Sequence, residues 1–157
     1  MAREEFDYIV VGGGSSGSVA AARLVKDGGF KVLLLEGGHS HRHPLLDMPP
    51  GIFKMINGSK YMHYHTTEPQ PHLDGRAHDI PQANVLGGGS SVNAQVYMRG
   101  RPSDYDAWND ALRGANDGAD WSFPQVLKHF RRMEDNNRLH DAFHGVDGPM
   151  QVSDPGH

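Results

Sequence analysis

The chain has no cysteine at all in 157 residues. That absence removes disulfides, thiolate metal sites and a cysteine nucleophile together, and leaves any redox chemistry to a bound cofactor. No apolar run approaches the ~18 residues of a membrane-spanning helix. An excess of positive charge is also missing: 15 basic against 19 acidic side chains leave a formal net charge of −4, with no electropositive face for nucleic acid or anionic lipid. The start, Met1-Ala2-Arg3-Glu4-Glu5, lacks the basic and apolar regions of a secretory signal, so the sequence predicts a soluble, cytoplasmic chain that binds a small molecule.

Glycine is what the chain has in quantity, at 20 residues, with 10 prolines. The glycines are clustered, which assigns them local backbone tasks rather than disorder. Phe6 to Val11 is a short β-branched and aromatic run that stops at glycine, the pattern of a strand in a parallel sheet. From Ser15 to about Lys26 an alanine-rich stretch places Val19, Ala20, Ala22 and Leu24 at helical spacings, closing near Gly28-Gly29. Lys31 to Leu35 is apolar again and ends at Glu36. Residues 6–36 thus spell one right-handed βαβ unit of an α/β, Rossmann-like fold.

Beyond it the pattern weakens. Residues 37–81 read as loops forming a lid, with a short strand near Tyr61–Thr67; 82–106 as a second ligand loop; and 107–157 as a helical segment leading into a further strand. Val85 to Met98 fits a helix or an extended run equally. Asp104 to Leu112 reads as a short helix. A longer helix runs from Phe123 to about Asp135, started by a Ser122-x-x-Gln125 capping box with Pro124 in its first turn, and Val126, Leu127, Phe130 and Met133 share one face. A doubly wound sheet needs a second βαβ half, and only one is legible, so the chain reads as an incomplete domain.

Two motifs carry chemistry. Gly12-Gly13-Gly14-Ser15-Ser16-Gly17 is G-x-G-x-x-G between strand and helix, and Glu36 ends the next strand about 20 residues further on, the arrangement of a dinucleotide fingerprint. Gly12 permits the sharp turn, Gly14 lets backbone approach a pyrophosphate, Gly17 allows close helix–strand packing, and the helix N-terminus offers free N–H groups. Glu36 would accept a hydrogen bond from a ribose hydroxyl. This motif does not separate FAD from NAD. The second motif, Ala83-Asn84-Val85-Leu86-Gly87-Gly88-Gly89-Ser90-Ser91-Val92-Asn93, is a loop of N–H and hydroxyl donors suited to a phosphate or the polar edge of a ring.

That second motif, continued to Asp106, resembles the first signature of the glucose–methanol–choline (GMC) oxidoreductase family. The likeness extends through VLLLEGG, TTEPQ, DYDAW at Asp104–Trp108, HFRRMEDN at His129–Asn136 and FHGVDGPMQVSD at Phe143–Asp154, in the order of bacterial alcohol and choline dehydrogenase-like members. The resemblance implies FAD, with its ADP moiety on Gly12, Gly14, Ser15, Ser16, Gly17 and Glu36. Its pyrophosphate and isoalloxazine would lie near Val85, Gly87, Gly88, Ser90, Ser91, Asn93 and Val96, with Asn93 beside the ring. Some members attach FAD through a histidine just before that Asn; Val92 stands there, which implies a non-covalent flavin. Relatives carry a tryptophan and another aromatic before the TEPQ-like segment, where this chain has His63 and His65.

The family's catalytic histidine and its His or Asn partner lie far toward the C-terminus, so no residue here inherits them. The implied function is oxidation of a CH–OH donor, a small-molecule alcohol, in a longer polypeptide. The alternatives are a redox-silent relative of the hydroxynitrile lyase type and a non-catalytic nucleotide-binding module. His39, His41 and His43 alternate in HSHRH and read as a solvated loop rather than a metal site, and His144 reads as structural. Arg99, Arg101, Arg131 and Arg132 read as surface partners of Asp104, Asp106, Glu134 and Asp135.

Overall fold

A computed structural model describes residues 3–115 and 118–154. Met1 and Ala2 of the N-terminal lead-in, and the last three residues, lie outside the described part. The chain divides into two units, Met1–Val96 and Tyr97–His157.

In the first unit, β1 (Tyr8–Val11), α1 (Ser15–Gly28) and β2 (Val32–Leu35) form the expected βαβ unit. The strands pair in parallel, Tyr8 with Val32 through Val11 with Leu35. Gly29 closes α1 in the left-handed conformation at φ 68°, its N–H donating to the Val25 carbonyl. The face of α1 turned inward differs from the one expected. Ala21 is buried and Gly17, Ser18 and Leu24 are half-buried, whereas Val19, Ala20 and Ala22 are exposed. Small residues take the inner stripe because the helix lies close upon the strands. The strands themselves remain open, with Ile9 61% and Val11 81% exposed, as a lone βαβ unit must leave them.

The stretch expected to be loops holds more structure. Two single-turn helices, α2 (Pro44–Asp47) and α3 (Ile52–Met55), precede a hairpin of β3 (Met62–Thr66) and β4 (Asp79–Ala83). The hairpin is antiparallel, with Met62 opposite Ala83 and Thr66 opposite Asp79. His43 starts α2, its Nδ1 accepting the Leu45 N–H at 3.2 Å. Met55, Tyr61, Met62, Val85 and Val92 form the buried core of this unit, with Leu45, Leu46, Ile52 and Ala83 packed on it. His39 and His43 flank the Tyr61 ring, with centroids 5.7 and 5.3 Å away. Residues 88–91 make a 3-10 turn, and 92–101 then run without regular structure, resolving the helix-or-extended alternative for 85–98 in favour of neither alone.

In the second unit, α4 (Pro102–Ala111) begins two residues earlier than expected, because Pro102 suits the first helical position and the Asp104 carboxylate takes the Arg101 N–H at 2.8 Å. Helix α5 (Phe123–Met133) is where expected, but its capping box does not form. The Gln125 side chain accepts from Lys128 Nζ at 2.6 Å instead of reaching back, and the Ser122 N–H goes to Asp120. The chain leaves α5 directly into β5 (Glu134–Asn136), parallel to β6 (Met150–Val152). Tyr105 gathers the rings of Trp108, Phe123 and Phe130 between α4 and α5.

The Arg99–Glu134 pair is not a surface pair: Glu134 is 0% exposed and Arg99 14%. Glu134 also accepts from Asn136 Nδ2 at 2.7 Å and from the Gly145 N–H, while the Arg99 guanidinium lies over the rings of Tyr97 and Phe130. Arg101 pairs with Asp104 at the surface, as expected. Arg131 donates to the His144 carbonyl, Asp106 accepts the Phe123 N–H and Asp135 the Asp147 N–H.

Candidate functional site

Two glycine loops meet in the first unit. Gly12, at φ 95°, turns the chain out of β1, and its N–H is held by the Leu35 carbonyl at 2.7 Å. The Gly13 carbonyl accepts from the Gly87 N–H at 2.7 Å and from Ser18 Oγ at 3.0 Å. The Gly13 N–H donates to Glu36 Oε2 at 2.6 Å. One residue thus links the first loop, the end of β2 and the second loop. Gly13 stands at an unassigned position of the fingerprint, and only its place in a run of three glycines signalled it.

The loops touch at glycine. A Cβ on Gly88, which lies at φ 58°, would come within 2.7 Å of Gly14 Cα. A Cβ on Gly14 would meet only Gly88 Cα at 3.8 Å, an ordinary contact. A Cβ on Gly17 would drive into the Gly12 carbonyl oxygen and approach Val10 at 3.4 Å, so Gly17 does set the helix–strand distance. Gly14 serves as N-cap of α1 without a side-chain cap, and the first bond along the helix runs from the Ser18 N–H to the Gly14 carbonyl. The N–H groups of the first turn, at Ser15, Ser16 and Gly17, are therefore left at an uncapped positive helix end.

Glu36 stands beside this turn with both oxygens engaged, Oε2 by Gly13 and Oε1 by the Gly38 N–H at 2.7 Å. A carboxylate has about four acceptor positions, so each oxygen retains capacity for another donor. Gly38 and His39 run against Asn84–Leu86, with His39 N–H to the Asn84 carbonyl at 3.0 Å and Leu86 N–H to the His39 carbonyl at 2.8 Å. This short parallel contact carries the second loop to the first.

Within the second loop the serine hydroxyls turn back onto the loop's own backbone. Ser90 Oγ donates to the Gly87 carbonyl at 2.7 Å and Ser91 Oγ to the Leu86 carbonyl at 2.9 Å. Their hydroxyl hydrogens shape the turn instead of standing free as donors. Val85 is 1% exposed, a core side chain that offers a ligand only its backbone. Gly87 and Gly88 join the first loop. Asn93 follows on the exposed side of the turn, and Val96 lies further along, also exposed. Val92 is buried in the core rather than presented to solvent. Beside it, Ile52, Ile56, Met62, Ala83, Gly89 and Val92 line an open, mainly apolar cleft of about 430 Å³. Among the described residues no group of histidines and carboxylates could hold a metal ion, and no helix is long and apolar enough to cross a membrane.

A strand, a glycine turn at an open helix end and an acid closing the next strand define an α/β dinucleotide-binding element. The model of the GMC oxidoreductase family matches residues 6–157, and the chain belongs to that family. It is 38% identical over 149 residues to the oxygen-dependent choline dehydrogenase of Brucella anthropi, covering 94% of this chain and 26% of that protein. To the alcohol dehydrogenase [acceptor] of Pseudomonas putida it is 41% identical over 150 residues, covering 95% and 26%. Among solved structures, pyridoxine 4-oxidase from Mesorbium loti superposes with a TM-score of 0.81 at 36% identity, over 94% of this chain and 28% of that one. The chain thus spans about a quarter of the length of the relatives it matches.

Proposed function

We propose that this chain is the cofactor-holding part of an FAD-dependent oxidoreductase that oxidises the CH–OH group of a small alcohol. The observation that carries this reading is the meeting of two bare glycine loops at the uncapped N-terminus of α1, since a surface of N–H groups without side chains is what a pyrophosphate needs to approach closely. Gly14, Ser15, Ser16 and Gly17 would receive the phosphates there, with Gly12 making the turn that opens the approach, and Glu36 would take the ribose hydroxyl through its remaining acceptor positions. Gly87 and Gly88, which bring no side chain, with the backbone of Val85, Ser90 and Ser91, would complete the pyrophosphate side, with Asn93 and Val96 toward the isoalloxazine. FAD, when bound, supplies the acceptor for the hydride leaving the substrate carbon.

The flavin is held non-covalently in this reading. Val92, in the position of the attaching histidine, is an aliphatic side chain, and its chemistry provides no bond. The whole gene product should therefore release its yellow colour into the supernatant on acid precipitation, and should bleach on anaerobic addition of an alcohol. Retention of flavin in the pellet would refute the non-covalent assignment. Cyanohydrin cleavage without bleaching by any alcohol would refute the oxidoreductase assignment.

A further inference from the structure

Gln95 lies at φ 57°, a left-handed conformation that side-chain-bearing residues seldom adopt. Its N–H donates to Asn93 Oδ1 at 2.8 Å. A backbone N–H can only donate, so the carboxamide atom facing it has to be the oxygen; turning the amide over would set donor against donor. The polarity of the Asn93 side chain is therefore fixed by the backbone two residues on. What remains at the exposed end is Nδ2 with its hydrogens, for which no protein acceptor is found among the described residues.

We propose that Asn93 meets its ligand as a hydrogen-bond donor, and that Gln95 is the positioning residue that sets this polarity. The inference rests on the reading above that places Asn93 beside the isoalloxazine. It specifies the ligand edge as an acceptor edge, the ring's carbonyl oxygens or unprotonated nitrogens, and it gives the left-handed Gln95 a purpose. A donor in that place favours the electron-rich reduced ring over the oxidised one.

The test compares Asn93→Asp with Asn93→Leu in the FAD-loaded whole gene product. Aspartate keeps an oxygen for the Gln95 N–H and puts a charged acceptor where Nδ2 was, whereas leucine only removes the donor. FAD should bind about tenfold more weakly to Asn93→Asp than to Asn93→Leu, and the flavin midpoint potential should be the more negative in Asn93→Asp. Gln95→Gly, which keeps the N–H and is at ease at this φ, should leave potential and visible spectrum at wild-type values; a shift as large as that of Asn93→Leu would remove the Gln95 N–H as the positioning group. Equal effects of Asp and Leu, or tighter FAD binding by Asp, would overturn the proposal while leaving Asn93 at the flavin. Wild-type affinity, spectrum and potential in both Asn93 variants would instead remove Asn93 from the flavin, and with it the reading on which the proposal rests.

Discussion

In the unit Met1–Val96 the parts that meet at the candidate site are backbone. Gly13 links three segments through its own N–H and carbonyl, and Gly88 can approach Gly14 because it carries no Cβ. In the unit Tyr97–His157 one buried carboxylate does the gathering: Glu134 joins Arg99, Asn136 and the Gly145 N–H. A surface meant for phosphate has to keep its N–H groups clear of side chains. A frame has no such need, and can satisfy itself inward with charge. The two designs should fail differently.

The largest effect is expected where charge is buried. Arg99→Ala leaves Glu134 without its cation in a site closed to water, and should cost about 3–5 kcal/mol of unfolding free energy. Denaturant titration checks it. If the loss were below about 1 kcal/mol, the pair would be behaving as the surface pair that the sequence suggests.

Next come the glycines, which separate folding from binding within one loop. Gly17→Ala should destabilise by about 1–3 kcal/mol, because its methyl meets the Gly12 carbonyl and neither backbone can yield freely. Gly14→Ala should leave thermal stability within about 0.5 kcal/mol, since its Cβ finds only an ordinary contact and its φ of −78° suits any residue. It should nevertheless weaken FAD binding about tenfold or more by filling the phosphate approach. Calorimetry of the apoprotein and flavin titration distinguish the two. Normal FAD affinity in Gly14→Ala would take the pyrophosphate away from this loop.

This contrast also governs what could be read from the sequence. β1, α1 and β2 were legible because glycine punctuation and apolar runs are local signals, and Gly17 could be given its packing role from its place in the motif alone. The strand Asp79–Ala83 was not, since Asp79 and Pro81 carry no strand preference and only pairing with Met62–Thr66 makes it one. The inward stripe of α1 is not legible from hydrophobicity, since Val19 is more apolar than Ala21 while the close approach to the strands selects the smaller residue. Ser90 and Ser91 read in the sequence as free donors, because composition does not reveal that the carbonyls of Gly87 and Leu86 lie within reach. Arg99 and Glu134, 35 positions apart, look like ordinary charged residues until the fold closes over them.

The smallest expected effect lies on the surface of the second unit, at the turn Asp141–His144. The Phe143 N–H and then the His144 side chain hold the Asp141 carboxyl below the usual carboxylate range, with bonds of 2.8 Å to the Phe143 N–H and to His144 Nδ1. A depressed folded-state pKa means that the turn's contribution to stability is complete above the unfolded value of about 3.9 and disappears as pH falls through the lower folded value. Asp141→Asn should therefore lower the thermal midpoint slightly at neutral pH and flatten its fall below about pH 4. The site is open to water, so the change should be small beside that of Arg99→Ala, whose partner is buried and whose effect persists across the neutral range. If Asp141→Asn matched Arg99→Ala in size, the second unit would owe its stability to its surface turns as much as to its buried pair, and the contrast between the two units would have to be redrawn.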